Sequence, residues 1–409
     1  MPPARHRFPL LRRWWRIGLG LIIVPVLFFA LTPKPNGVRL HSFDGKPTFA
    51  TAINDHGEIF GCYLGDDNKT HNITWDARGK IHPSEQRFRF PLYNTSHTPP
   101  ENDSPFTSAG PWRSSANLLE GNNRKDPQLI ADIFHYANDR NNSEQIVGRT
   151  LIYNYGRPQA AFFDSTIGAV DLDTLGGETS EAFAINEASQ VVGQAQNAAG
   201  ENRAFLWEIP SSLYLGNSSE VRWNLPFLQD LGTLGGKESS AYGLNNFGQV
   251  VGGAEATSGQ AHAFLWDTES GMQDLHPFLT GKTSVATDIN DHGQIVGFAE
   301  SDSGNKRAFC WSPHSGLIWL DDFGAKDSVA ARINNHGQII GLIEFPPPWR
   351  IRAWNWVTKK IPLLHDHTIS PHNHTRADPV LWTVSPPGNN APHSSTFPTP
   401  DFPISLKKK

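Results

Sequence analysis

The stretch from Asp230 to Asp267, DLGTLGGKESSAYGLNNFGQVVGGAEATSGQAHAFLWD, constrains the fold more than any other, because most of residues 38–357 vary on it. It reads as four short pieces: a leading DLG, an apolar segment ending at Asn245, a Gly-rich VVGG, and AFLW ahead of an acidic residue. Each piece is strand-length and bounded by turn residues. Aligned on the glycine that closes the third piece, six copies fall at Gly61, Gly148, Gly193, Gly252, Gly297 and Gly341. Three of the spacings are 45, 45 and 44 residues, room for four strands with their turns. The spacing from Gly61 to Gly148 is 87 residues, close to two periods. It holds either a seventh, unrecognisable unit or a long insertion. The Pro-, Ser- and Asn-rich run NTSHTPPENDSPFTSAGPW favours an insertion, near residues 93–128. A second insertion spans residues 209–226.

Two repeat positions carry the structural argument. Asn54 with Gly57, Asn245 with Gly248, Asn290 with Gly293 and Asn334 with Gly337 sit between apolar runs. Asn at the first turn position can bond a backbone N–H two residues on, and Gly at the fourth tolerates positive φ, so each pair predicts a β-hairpin. Asn186 keeps the first half of the pattern, with Ser189 in place of the glycine. In AFLW, Ala263 and Leu265 face one way and Phe264 and Trp266 the other, so both faces are apolar and both need cover. The small residues of VVGGA and AFAI are read as allowing close approach of adjacent sheets. A ring of four-stranded antiparallel sheets satisfies these demands and leaves only short strand edges. The expected fold is therefore all-β, a β-propeller of six blades, with seven possible on the 87-residue spacing. A linear solenoid needs polar caps on its end repeats, and the first and last units show no obvious capping. LHSF near residue 40 and IPLL near residue 361 both read as leading strands, and either could complete the last blade.

The combination A-x-x-IN-x-x-GQ-VVG followed by AFLW and DLGTLGG resembles the HAF-type extracellular repeat family of bacteria over residues 38–357. The third and fourth units carry it most fully, including a literal His262-Ala263-Phe264. The first two depart from it, with NITW and AFFD in the last strand. The resemblance implies an exported, β-rich repeat protein and supplies no catalytic residue to carry over.

The ends of the chain set the expected compartment. Arg5, Arg12, Arg13 and Arg16 precede an apolar run from Ile17 to Leu31, with Trp14 and Trp15 where an interfacial belt would lie. Residues 1–36 thus read as a signal anchor or signal peptide. If retained, the membrane contact is made through residues 14–32 and the rest of the chain faces the periplasm; if cleaved, the protein is secreted. Residues 37–366 form the repeat domain. Residues 367–409, Pro-, His- and Ser-rich and without period, are expected to lack order.

The net charge of −5, with 18% charged residues, argues against nucleic acid as a partner. No G-x-S-x-G elbow, H-E-x-x-H or P-loop is present. Asp171, Asp230 and Asp274 recur at one repeat position and read as turn or strand-end caps. Cys62 and Cys310 fall inside strands and read as core thiols. If repeated residues are architecture, function lies where the repeat breaks. The candidates are Trp112 and Arg113 in the first insertion, Tyr214 and Trp223 in the second, and Trp349 and Arg350 in FPPPWR, aromatic and cationic groups suited to a glycan or protein partner. His365, Asp366, His367, His372 and His374 have the composition of a metal-binding tract but no fixed scaffold. His56, His292 and His336 share a turn position expected to be solvent-exposed. The expected function is non-catalytic binding or scaffolding of a protein or glycan outside the cytoplasm, without a cofactor. The alternative is an extracytoplasmic propeller hydrolase whose site is assembled from blade loops.

Overall fold

The computed structural model describes residues 36–46, 48–67, 70–76, 78–83, 136–150, 157–209, 228–279, 281–346 and 376–385. In chain order the strands are β1 (Asn36–Arg39), β2 (Thr48–Ile53), β3 (Ile59–Leu64), β4 (Thr70–Trp75), β5 (Ile81–Pro83), β6 (Tyr136–Arg140), β7 (Ile146–Thr150), β8 (Gln159–Asp164) and β9 (Gly168–Asp171). They continue as β10 (Gly176–Ile185), β11 (Gln190–Asn197), β12 (Asn202–Glu208), β13 (Gln229–Asp230), β14 (Gly235–Leu244), β15 (Val250–Ala256), β16 (Ala261–Asp267) and β17 (Gly271–Asp274). The last are β18 (Thr283–Ile289), β19 (Ile295–Glu300), β20 (Lys306–Ser312), β21 (Gly316–Trp319), β22 (Asp327–Ile333), β23 (Gln338–Phe345) and β24 (Arg376–Thr383). Each consecutive set of four from β2 to β21 forms one antiparallel blade, and β22, β23, β24 and β1 form the sixth. The molecule is an all-β, six-bladed propeller.

The first strand of every blade lines the central channel and carries a bulge. The register slips at Ala50/Ala52, Ala137/Asp139, Ala182/Ala184, Ala241/Gly243, Ala286/Asp288 and Ala330/Arg332. A bulge brings one carbonyl of the first strand onto the second, and there the repeat glycine is required. A Cβ at Gly61, Gly193, Gly252, Gly297 or Gly341 would lie 2.0–2.1 Å from the carbonyl oxygen of Phe49, Glu181, Ser240, Val285 or Val329. The close approach that the sequence assigned to neighbouring sheets is found at these five glycines within the blade.

The two-sided AFLW strand packs as its composition demands. Phe205 and Trp207 of β12 join a cluster with Val147 and Phe162 of blade two, whereas Ala204 and Leu206 join one with Val250 and Phe264 of blade four. Such clusters fill the joints two/three, three/four, four/five, five/six and six/one. Trp75, Trp207 and Trp382 are almost wholly buried, each contributing on the order of 2–3 kcal/mol through the apolar area removed from water. Cys310 is buried and Cys62 half-buried, both as free thiols.

The sixth blade decides one choice that the sequence left open and corrects one reading. Its outer strand is β1, from the start of the chain, not IPLL near residue 361. Its third strand is β24, at residues 376–383 within the segment expected to lack order; Val380, Leu381 and Trp382 take the AFLW role. The reason is compositional: Pro379 falls in this strand, and proline is a breaker signal in sequence. Here it stands opposite Leu342, and Leu40 N–H donates to its carbonyl at 2.9 Å. Among the described residues no helix is long and apolar enough to cross a membrane; residues 1–35, which carry the expected anchor, lie outside them.

Candidate functional site

The hairpin after each channel-lining strand builds one mouth of the channel. In blade four, Asn245 Oδ1 accepts the N–H of Phe247 at 3.1 Å and of Gln249 at 3.0 Å, which fixes the turn. Asn54, Asn186, Asn290 and Asn334 accept the same two bonds, while Asn141 accepts one from Gln145. The fourth residue has positive φ in every turn: Gly57, Gly248, Gly293 and Gly337, but also Glu144 and Ser189. With Oδ1 committed locally, Nδ2 can point across to the next blade. It donates to the carbonyl of the following asparagine from Asn141 to Asn186, Asn186 to Asn245, Asn245 to Asn290, Asn290 to Asn334, and Asn334 to Asn54, at 2.8–3.2 Å.

A second ring stands directly above, formed by the residue after each asparagine. Around the mouth these are Asp55, Asn142, Glu187, Asn246, Asp291 and Asn335, so carboxylates alternate with amides. Asn142 N–H donates to Glu187, Glu187 N–H to Asn246, Asn246 N–H to Asp291, Asp291 N–H to Asn335, and Asn335 N–H to Asp55. Asp291 further accepts from the side-chain amides of Asn246 and Asn335, and Asp55 from that of Asn335. These residues and the strand ends below them enclose a polar cavity of about 550 Å³.

Deeper in the cavity Asp139 and Asp288 occupy one repeat position. Each accepts a backbone N–H from the next blade, Ile185 at 3.1 Å and Ile333 at 3.0 Å, and Arg332 stands 3.9 Å from Asp288. Thr51 and Asn138 also line this space. Their equivalents in blades three and four, Phe183 and Tyr242, are buried with ring centroids 5.5 Å apart. The cavity wall is thus polar on one side of the channel and aromatic behind the other.

Asp171, Asp230 and Asp274 cap turns, accepting the N–H of Asp173, Gly232 and His276 at 2.9, 2.8 and 2.8 Å. Burial pushes the Asp171 carboxyl up. His56, His292 and His336 are exposed on the rim, and Phe247, in the same position of blade four, is 64% exposed. The sequence candidates Trp112, Arg113, Tyr214, Trp223, Trp349 and Arg350, and the histidine tract His365, Asp366, His367, His372 and His374, lie outside the described residues. The ring of Asp55, Asn142, Glu187, Asn246, Asp291 and Asn335 was not singled out in sequence. Its signal was present: every residue after the turn asparagine is acidic or an amide.

Fold and mouth together define a repeat propeller with a polar axial cavity. Residues 176–319 match a family described as "Protein of unknown function (DUF3466)". No curated protein matches the chain. Among solved structures, it is similar to TolB from Acinetobacter baumannii, with 11% identity, 65% of this chain and 52% of that one covered, and a TM-score of 0.35. It is similar to a Xanthomonas campestris gluconolactonase with 8% identity, 76% and 95% coverage and a TM-score of 0.33. The six-bladed Aleuria aurantia lectin follows with 10% identity, 68% and 78% coverage and a TM-score of 0.31.

Proposed function

We infer that the chain is a non-catalytic binding or scaffolding module of the HAF-type repeat class, acting outside the cytoplasm on a protein or glycan partner. The observation that carries this reading is the amide-held state of the mouth. Asp55, Glu187 and Asp291 sit on alternate blades, and each accepts N–H groups from its neighbour, an arrangement that holds a fixed polar surface. General acid–base work needs a group free to take and return a proton beside a reacting atom. The hydrolase alternative predicts converging acids or histidines. Here the rim acids are spaced by amides, Asp139 and Asp288 below them each accept a backbone N–H from the next blade, and His292 and His336 face solvent.

Phe247 supports a ligand at this mouth, because an exposed aromatic beside hydrogen-bonding Asn246 suits the apolar face of a sugar or a peptide side chain. The compartment rests on the arginine-flanked apolar run at residues 5–31. Glycan arrays and protein pull-downs with the purified full chain, paired with Phe247→Ser and Asn246→Ala, test the reading. A ligand held by the wild type and lost by both variants supports it; turnover of that ligand, or retention by both variants, removes it. A reporter active only outside the cytoplasm, fused after Lys409, tests the topology, and activity of a cytoplasm-only reporter there refutes it.

A further inference from the structure

The hydrogen bonds of the mouth occupy its donors and leave acceptor capacity on its acids. Both Nδ2 hydrogens of Asn141, Asn186, Asn245, Asn290 and Asn334 are used, one on the glutamine four residues on and one on a carbonyl of the next blade. In the ring above, Asn335 Nδ2 meets both Asp55 and Asp291, and the backbone N–H groups of five blades meet their neighbours. The carboxylates have room. Each has sites for about four donors, yet Asp55 takes two bonds, both from Asn335, and the two oxygens of Glu187 share the N–H of Asn142. A ligand entering here is met by acceptors.

Charge points the same way. Asp139 and Asp288 in the deeper layer of the cavity lie with Arg140 and Arg332, and these four charges cancel. No lysine or further arginine among the described residues lining the cavity offsets Asp55, Glu187 and Asp291. These three stand on blades one, three and five, each at least partly open to solvent. Three like charges at the mouth of a protein-walled space draw cations towards it and disfavour anions.

Phe247 narrows the kind of cation. Its ring, 64% exposed, stands on blade four, between the blades that carry Glu187 and Asp291. Lysine joins an apolar stem, which can lie along such a ring, to a charged head. Its three N–H donors diverge, whereas those of arginine lie in one plane, and divergent donors suit carboxylates placed on three sides.

We propose that the mouth receives a lysine side chain from an exposed segment of a protein partner, its ammonium group held by Asp55, Glu187 and Asp291 and its stem lying against Phe247. This rests on the reading of the mouth as a non-catalytic binding surface and narrows the partner to a protein.

The peptide Gly-Ser-Lys-Ser-Gly with blocked ends, its lysine either free or Nε-acetylated, tests this when titrated into the full chain and followed by ligand NMR. The free-lysine peptide is expected to bind and the acetylated one not. Binding should weaken about tenfold in the triple variant Asp55→Asn, Glu187→Gln, Asp291→Asn, roughly what three partly exposed ion pairs supply. The amides keep oxygen acceptors for the ring bonds. Should the triple variant not fold, Asp55→Asn and Asp291→Asn made singly should each weaken binding about twofold. Equal binding of the two peptides, binding of neither, or unchanged affinity in the folded variants would overturn the proposal. A ligand from the arrays or pull-downs that Phe247→Ser and Asn246→Ala release and the triple variant retains would overturn it while sustaining the binding reading. A full chain that binds neither peptide and captures no other ligand removes both.

Discussion

Gly252 shows how little freedom one residue of the repeat has. A Cβ there would sit 2.0 Å from the Ser240 carbonyl oxygen and 2.8 Å from the Phe264 ring, and the first of these is backbone that cannot swing away. Gly252→Ala is expected to cost about 3 kcal/mol, the upper part of the range for overpacking, measured by urea denaturation. An unchanged midpoint would mean that the bulged strand yields. Glu144 shows the converse. It takes φ 62° where four sibling turns use glycine, a conformation costing a non-glycine residue on the order of 1 kcal/mol. Glu144→Gly relieves this cost and is expected to raise stability by up to about 1 kcal/mol, less what the Glu144 side chain's contacts supply, among them Arg140 at 3.9 Å. Sequence made the asparagine and glycine of these turns legible, because their chemistry is local. The second role of asparagine, its bond to the next blade, was not legible, since the bonded residues lie 44 to 59 apart in the chain, and 280 apart between blades six and one.

At the scale of the element, the joint between blades four and five holds a titratable pair. His262 and His276 stack with centroids 4.0 Å apart. The Gly281 carbonyl can only accept, so His276 Nε2 carries a proton; in the neutral ring Nδ1 then accepts from the Ser284 hydroxyl, whose oxygen accepts the N–H of Ala263. This network fits the neutral imidazole. Burial, then the neighbouring His262, holds the His276 pKa below its ordinary 6.5. The unfolded chain therefore takes up this proton first as pH falls, so the contribution of neutral His276 is whole above pH 6.5 and is lost as the pH drops through the lower folded value. Melting temperature should fall between about pH 7 and pH 5 in the wild type and fall less in His276→Gln; equal slopes would refute this. Strand and hairpin content was readable from period-two apolar pairs and turn residues. The exceptions have physical causes: β24 is interrupted by Pro379, and β13 is only two residues long, Gln229–Asp230, after an insertion.

For the whole molecule, six repeats and two-sided apolar strands were enough to read a propeller, because a ring covers both faces of many short sheets without the polar end caps that a solenoid needs. The order of fastening was not readable, because it depends on which terminus meets which edge. Gly37 of β1 lies against Phe323 and Trp382, so close that a Cβ added to it would come within 2.5 Å of the Phe323 ring. Gly37→Val should lower stability by about 1–3 kcal/mol if β1 is seated as described, read as a shift of the denaturation midpoint. No shift would mean that the sixth blade is held without it. Arg39 adds a bond of 3.0 Å to the Phe323 carbonyl and lies 4.7 Å from the Phe345 ring centroid, so β1 is anchored by side chains as well as backbone.

The pairing of β1 with β24 also sets a condition on biosynthesis. β1 waits for β24, so every length of chain between them carries an open strand edge, the kind of surface that invites mispairing. Blades one to five each form from consecutive strands and can assemble as they emerge, while the sixth requires contact across some 340 residues, with the loop entropy that separation entails. A message truncated anywhere before residue 376 would yield a product that cannot finish itself. Completion of the ring thereby reports that synthesis has passed β24.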